Sequence, residues 1–214
     1  YVAVMDEARS LVKKIMKLDD SYEVVYLQGG ASTQFLMTVM NLLETKAAYT
    51  NTGTWAKKAI KEAKAFGTVD VLGSSEDQNF NFIPKDFTIT AEYDYFHCTS
   101  NNTICGTQMQ SFPDCPTSLV CDMSSDIFSR QLDFTQFDLI YAGAQKNMGP
   151  AGTTLVVIKK SILGKVSRYI PTMLDYNTHI SKDSMFNTPP VFAVYGCLQT
   201  LKCTIRPNKS FSIY

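Results

Sequence analysis

The stretch EVVYLQGGASTQFLMTVMNLL, from Glu23 to Leu43, decides the fold. Its first five residues form a β-branched apolar run of strand length. Two glycines follow, and then Phe35, Leu36, Val39, Met40 and Leu43 recur at helical spacing. A strand that passes through glycines straight into a helix is the repeating unit of an α/β protein.

The same alternation continues on both sides. VAVMDEARSLVKKIMKL (Val2–Leu18) places Val4, Ala8, Leu11, Val12, Ile15 and Met16 on one helical face. TWAKKAIKEAKAFG (Thr54–Gly67) reads as a second amphipathic helix, with Gly67 positioned to end it. The runs TVDVL, YDYFHC, SLVCDM, FDLIYAG and TTLVVIKK read as further strands. The expected architecture is a three-layer α/β/α fold around a mostly parallel central sheet. In such sheets ligands collect beyond the carboxyl ends of the strands. That rule singles out Gly29–Gln34, Asn101–Thr103, Asp122–Ser125 and Gln145–Asn147.

Composition narrows the function classes. Hydrophobic residues make up 45% of the 214 and charged residues 19%, enough apolar side chain for a substantial core. Twenty basic and twenty acidic side chains cancel, so no basic field points to nucleic acid or to a membrane surface. The longest apolar run, Phe35–Leu43, is too short to span a bilayer. The N-terminus lacks the layout of a signal peptide. None of the six cysteines is spaced as CxxC, and neither histidine stands at metal-site spacing from a cysteine. Reduced thiols, no metal centre and a cytoplasmic location are therefore expected.

Four features carry candidate chemistry. GGAST opens a helix, so its free N–H groups suit an anion, with Ser32 or Thr33 as the cap. A capped turn with no ligand explains the same residues. Trp55, the only tryptophan, is either a core-boundary residue or a platform for a planar ring. Asp122 ends an apolar strand, where a carboxylate needs a partner. A hydrogen-bond network with Ser124 and Ser125, a metal, or a protonated ring nitrogen would each serve. Lys146 sits in YAGAQKNMGPAG among small and apolar residues. That setting disfavours its charge and suits an amine nucleophile for Schiff-base chemistry, unless the side chain snorkels to solvent. Together, an anion seat, an aromatic platform, a strand-end acid and a lysine match the needs of pyridoxal phosphate.

The motifs YLQGGAST, NTGTWAKKAIKEAK, NNTICGTQ, YAGAQKNMGPAG and MFNTPPVFA resemble those of the phosphoserine aminotransferases, fold-type-I pyridoxal phosphate enzymes grouped with the class V aminotransferases. The resemblance covers about residues 1–202, read as the large cofactor-binding domain. CTIRPNKSFSIY (203–214) resembles nothing in the family.

The resemblance implies a role for each matching residue. Ala31, Ser32 and Gln145 would bind the cofactor phosphate, and Trp55 would stack on the ring. Thr103 would lie at the ring's 3′-oxygen side, and Asp122 would pair with the ring nitrogen. Lys146 would form the Schiff base, then move the proton between Cα and C4′. Asn187 and Thr188 would reach the phosphate of a neighbouring subunit, which implies a homodimer. The implied reaction transfers an amino group from glutamate to 3-phosphohydroxypyruvate, giving O-phosphoserine and 2-oxoglutarate in serine biosynthesis.

Family members also carry a His-Arg segment before the place where Tyr1 falls, and a smaller C-terminal domain. This chain is therefore expected to be truncated at both ends, and to bind cofactor with little turnover. The rival readings are another class V enzyme, such as a cysteine desulfurase, and a non-catalytic cofactor-binding or dimerising fragment. A desulfurase would place a histidine at Trp55 and needs a mobile cysteine. His97 is expected to be a buried strand residue. His179, in the polar stretch DYNTHISKD, is a lesser candidate for approaching substrate.

Overall fold

The structure is a computed structural model and describes residues 1–205. The chain runs α1 (Val2–Met16), β1 (Tyr22–Leu27), α2 (Gly30–Leu42), β2 (Lys46–Asn51), α3 (Thr54–Lys64) and β3 (Thr68–Ser74). It continues β4 (Tyr95–Thr99), β5 (Asn101–Asn102), β6 (Thr107–Gln108), β7 (Ser118–Asp122), β8 (Leu139–Gly143) and β9 (Thr154–Lys159), ending in α4 (Tyr176–Ile180) and α5 (Val191–Thr204). Seven strands form one sheet in the order β1-β9-β8-β7-β4-β2-β3, and β5 and β6 form a separate hairpin.

The pairs β2–β3, β2–β4, β4–β7 and β7–β8 are parallel. Only β9 runs against the rest, because it pairs antiparallel with both β8 and β1. The expected mostly parallel sheet is therefore present. Most of its strands deliver their carboxyl ends to one edge, where the loops after β1, β4, β7 and β8 gather.

Each sheet face buries a separate core. On one side Met5, Ala8 and Val12 of α1 and Val194, Leu198 and Leu201 of α5 pack on Val24, Tyr26, Cys98, Cys121, Ala142 and Leu155. On the other, Phe35, Val39 and Leu43 from the α2 region and Ala59 and Ala63 of α3 pack on Val25, Tyr49, Tyr95, Val120, Tyr141 and Val156. Val24 and Tyr26 thus face one layer while Val25 and Leu27 face the other. This is why β1 reads as a continuous apolar run.

The expected face of α1 is present: Ala8, Val12 and Met16 are buried, Val4, Leu11 and Ile15 pack against the same core, and Met5 joins them. Other expectations need correction. Strand β2 was not foreseen. Its sequence, KAAYTN, has a single β-branched residue, and its burial comes from pairing on both sides with β3 and β4. Gly67 is not a left-handed terminator of α3. A Cβ there would lie 2.9 Å from Leu43 Cδ2, so the position serves close packing. The cap of α2 is Gly29, at φ 92°, and not Ser32 or Thr33. Thr33 Oγ1 instead donates back to Gly29 O at 3.0 Å.

Among the described residues, no helix is long and apolar enough to cross a membrane. The cysteines among them are all free.

Candidate active site

The site assembles where glycines let the strand-end loops touch. Gly143 closes β8. A Cβ built on it would stand 3.3 Å from Ala31 N and 3.8 Å from Ser124 Oγ, so the start of α2 lies against the ends of β8 and β7. Gly143 N donates to Ser124 Oγ at 3.1 Å. Ser124 in turn donates its backbone N–H (2.9 Å) and its hydroxyl (2.7 Å) to Asp122 Oδ1. A second close approach involves Gly53, where a Cβ would fall 2.6 Å from Asn102 Oδ1. It seats the first turn of α3, which carries Trp55, beside the β5–β6 hairpin. The hairpin and the Lys146 turn are joined by Lys146 Nζ donating to Thr103 Oγ1 at 3.1 Å.

Asp122 is buried, and its carboxyl is raised to about 6. Burial is the largest cause. The two Ser124 hydrogen bonds and the nearby Lys146 charge oppose it, and Asp126 adds to it. The serine network is thus present, but it engages only Oδ1 through hydrogen bonds, and the acid still carries a desolvation penalty.

Lys146 departs from expectation. It is not enclosed by the apolar residues around it but stands exposed at the rim, with Gln145 exposed beside it. Met148 and Ala144 take the buried positions of the turn, which aims the lysine outward. Gly149, at φ 153°, lets that turn close against α5, where a Cβ would meet Cys197 Sγ at 2.7 Å. Cys197 is accordingly buried and inaccessible as a mobile nucleophile.

Trp55 is half-buried against the α2–α3 core, with Lys58 Nζ 4.3 Å from its ring centroid. Ala31 packs on the same core, and Ser32 is exposed in the first turn of α2. That first turn holds no acidic side chain, so its unpaired amides suit an anion.

Asn187 and Thr188 are placed differently. Both are exposed on the loop before α5; Gln28 Nε2 donates to Thr188 O at 2.7 Å, and Asn187 shares a concavity of about 350 Å³ with Gly29 and Thr33. Neither side chain hydrogen-bonds to the group around Lys146.

His97 is buried in β4, as expected, with Nε2 2.7 Å from Tyr141 OH and its basicity lowered to about 3 by burial. His179 is not on a polar loop. It lies buried in α4 with Nε2 2.9 Å from Met173 O, which makes it structural. Gly53 and Gly143 contribute to the site without having been singled out, while Asn102 falls within the foreseen strand-end stretch Asn101–Thr103. A glycine at a close approach has no local sequence signal when its φ is ordinary. A concavity of about 540 Å³ lies beside the hairpin, lined by Thr107 and Gln108 together with Phe82 and Phe112, and one of about 630 Å³ lies elsewhere, beside Met16 and Phe134.

The donor set fits pyridoxal phosphate: amides at a helix start for a phosphate, an indole for a ring, a carboxyl for a ring nitrogen and an amine for an aldehyde. Comparison with known proteins agrees with that chemistry. The family model for aminotransferase class-V matches residues 1–208. The phosphoserine aminotransferase of Flavobacterium psychrophilum is 61% identical over 205 residues, covering 94% of this chain and 58% of the relative. That of Parabacteroides distasonis is 60% identical over 202 residues, covering 94% and 57%.

Among solved structures, a phosphoserine aminotransferase studied for radiation damage of its Schiff base superimposes with a TM-score of 0.91. It is 45% identical, with 95% of this chain and 58% of that one covered. A pyridoxal phosphate-bound phosphoserine aminotransferase from Trichomonas vaginalis gives a TM-score of 0.87 at 31% identity, covering 94% and 58%. The chain thus spans somewhat under three-fifths of the length of these relatives. By the match of its whole described length and the site it assembles, this chain belongs to the class V aminotransferase family.

Proposed function

We propose that this chain carries the cofactor half of a phosphoserine aminotransferase, binding pyridoxal 5′-phosphate through Lys146. One observation carries the reading: Lys146 Nζ, the buried Asp122 and the open start of α2 converge on one sheet edge. The high identity to phosphoserine aminotransferases supports the substrate pair, glutamate and 3-phosphohydroxypyruvate.

When bound, the cofactor supplies a conjugated ring that withdraws electrons from the substrate Cα. The residues divide the remaining work. The amides of Ala31 and Ser32, together with the Gln145 side chain, would hold the phosphate. Trp55 would offer its face to the ring, and Thr103 would hold the ring's 3′-oxygen side. Asp122, held on Oδ1 by Ser124, would keep the ring nitrogen protonated. Its buried carboxylate is strengthened as a partner by the low local dielectric. Lys146 is the amine nucleophile toward the cofactor's aldehyde. As a free amine it would move the proton between the substrate Cα and the cofactor's C4′.

The same reading makes the protein a homodimer in which Asn187 and Thr188 reach the partner's phosphate. Their exposure, with Phe186, Val191 and Phe192 exposed beside them, supports a surface that a second copy would cover. A cytoplasmic location accords with the free thiols.

The test is the visible absorbance of the purified chain with pyridoxal phosphate. The expected result is a band that borohydride reduction fixes to the protein and that Lys146→Ala abolishes. A band of equal strength in Lys146→Ala would overturn the assignment. Glutamate added next separates a transaminase, in which the band converts, from a cofactor-binding fragment, in which it persists.

A further inference from the structure

We propose that Asp126 is a positioning residue for Lys146, acting at a distance through the β5–β6 hairpin that carries Thr103. Thr103 is exposed at the tip of a two-residue-stranded hairpin, and so short a ribbon does not hold its own geometry. Asn102 ties it to Thr52 on one side; on the other it is held by the loop after β7, and Asp126 is the hub of that loop.

Asp126 is only 7% exposed and is not part of the cofactor-binding set. Its Oδ1 accepts from Ser100 Oγ at 2.5 Å, at the root of the hairpin. Its Oδ2 accepts from Gln108 Nε2 at 3.1 Å, on the returning strand, and stands 3.8 Å from Arg130 Nη2. Arg130 continues the lacing by donating to Met109 O and Gln110 O. Ser125 Oγ donates to Asn101 O at 3.0 Å. The hairpin is therefore gripped on both strands from beneath.

The other end of the Lys146–Thr103 bond is anchored on the same loop. Asn147 Nδ2 donates to Ile127 O at 2.7 Å, fixing the turn one residue after Lys146. Lys146 and Thr103 thus meet because one loop, residues 123–130, holds both of their supports. Asp126 is the buried charge in it, and burying a carboxylate is tolerated only when its hydrogen bonds are filled. Burial raises its carboxyl, while Ser100 and Gln108 pull it back toward the ionised form in which both oxygens accept.

The test uses the full 214-residue chain without added cofactor, so its outcome does not depend on the cofactor reading above. Site-resolved acylation at fixed pH, read by mass spectrometry, reports how freely Lys146 reacts, with the exposed Lys165 as internal reference. Thr103→Val removes the acceptor and is expected to raise Lys146 acylation by about two- to tenfold, the range for one lost hydrogen bond. Asp126→Ala is expected to raise it similarly when Thr103 is present, and hardly at all in the Thr103→Val background. Asp126→Asn keeps the acceptor for Ser100, and Gln108 can turn its amide to match. It is expected to stay within about twofold of the natural chain.

If Asp126→Ala fails to fold, Gln108→Ala takes its place, since it removes one bond to Oδ2 from a half-exposed residue. The same non-additivity with Thr103→Val is expected. Equal effects of Asp126→Ala with and without Thr103, or no effect at all, would overturn the proposal. Cofactor affinity from a visible titration of the same variants adds a second readout, in which loss of the cycle's non-additivity would also count against it.

Discussion

Lys146 Nζ donates to Thr103 Oγ1 across 3.1 Å, joining the turn after β8 to the hairpin after β4 over 43 residues of sequence. The bond marks the place where four separate strand-end loops become one site. It also explains how an exposed lysine on a glycine-rich turn keeps a defined direction.

Trp55 is the only tryptophan, so its fluorescence reports on a single place. Pyridoxal phosphate is expected to quench it saturably, because the indole stands at the site and is half-exposed. Trp55→Ala is expected to weaken cofactor binding about tenfold, from the loss of ring stacking. Unchanged fluorescence at saturating cofactor would place the ring elsewhere.

Gly53→Ala tests the close approach that seats α3 beside the hairpin. The added Cβ would fall 2.6 Å from Asn102 Oδ1 and 3.0 Å from Asn102 Cγ, and Asn102 is buried and cannot swing clear. A cost of about 1–3 kcal/mol in chemical denaturation is expected. Cofactor affinity is expected to fall as well, since Asn102 is bonded to its neighbours on the hairpin and moves with Thr103. A variant as stable as the natural chain would show that the approach is looser than described.

Asp122 predicts an unusual pH dependence. Its carboxyl is raised to about 6 from 3.8, so between those values the folded cofactor-free protein holds the proton and the unfolded chain does not. Stability from this group is therefore present at low pH and lost as pH rises through about 6, by roughly 3 kcal/mol at most. Measured against Asp122→Asn, which cannot titrate, the natural chain is expected to lose ground from pH 4 to 6. A parallel pair of stability curves would remove the burial penalty from the account.

His97 acts in the opposite sense. Burial lowers it from 6.5 to about 3, so it is neutral in the fold where the unfolded chain would be charged. Its contribution is fully present above about pH 6.5 and is lost as pH falls toward 3, amounting to several kcal/mol (about 1.4 kcal/mol for each tenfold). His97→Gln is expected to flatten the acid limb of the denaturation profile while leaving neutral-pH binding of cofactor intact. Acid sensitivity unchanged in that variant would assign the limb to other groups.

Much of this was legible residue by residue. The β1–α2 run declared itself because buried strands and amphipathic helices leave different periods, and its reading as an α/β unit holds. Asp122 and Lys146 stood out because a carboxylate or an amine beside an apolar strand needs a reason. Strand β2 was missed because Lys46–Asn51 owes its strand form to two neighbours and not to its own side chains. His179 read as polar loop because Thr178, Ser181 and Lys182 surround it, yet its ring turns inward to Met173 O. The left-handed Gly29 displaced Ser32 as the cap because a backbone at φ 92° can end one element and open the next without a side chain.

The sequence by itself determined the layers, the order of the site motifs and the chemical kinds of group at the strand ends, since these follow from local pattern and residue type. Only the tertiary structure decided that Lys146 faces outward to Thr103, that Asp122 is buried while Gln145 is not, and that Asp126 bonds to Ser100 and Gln108 of the hairpin that carries Thr103. Those facts depend on contacts between residues tens of positions apart. Such contacts exist only once Gly53 and Gly143 let the backbones meet, and no local period records them.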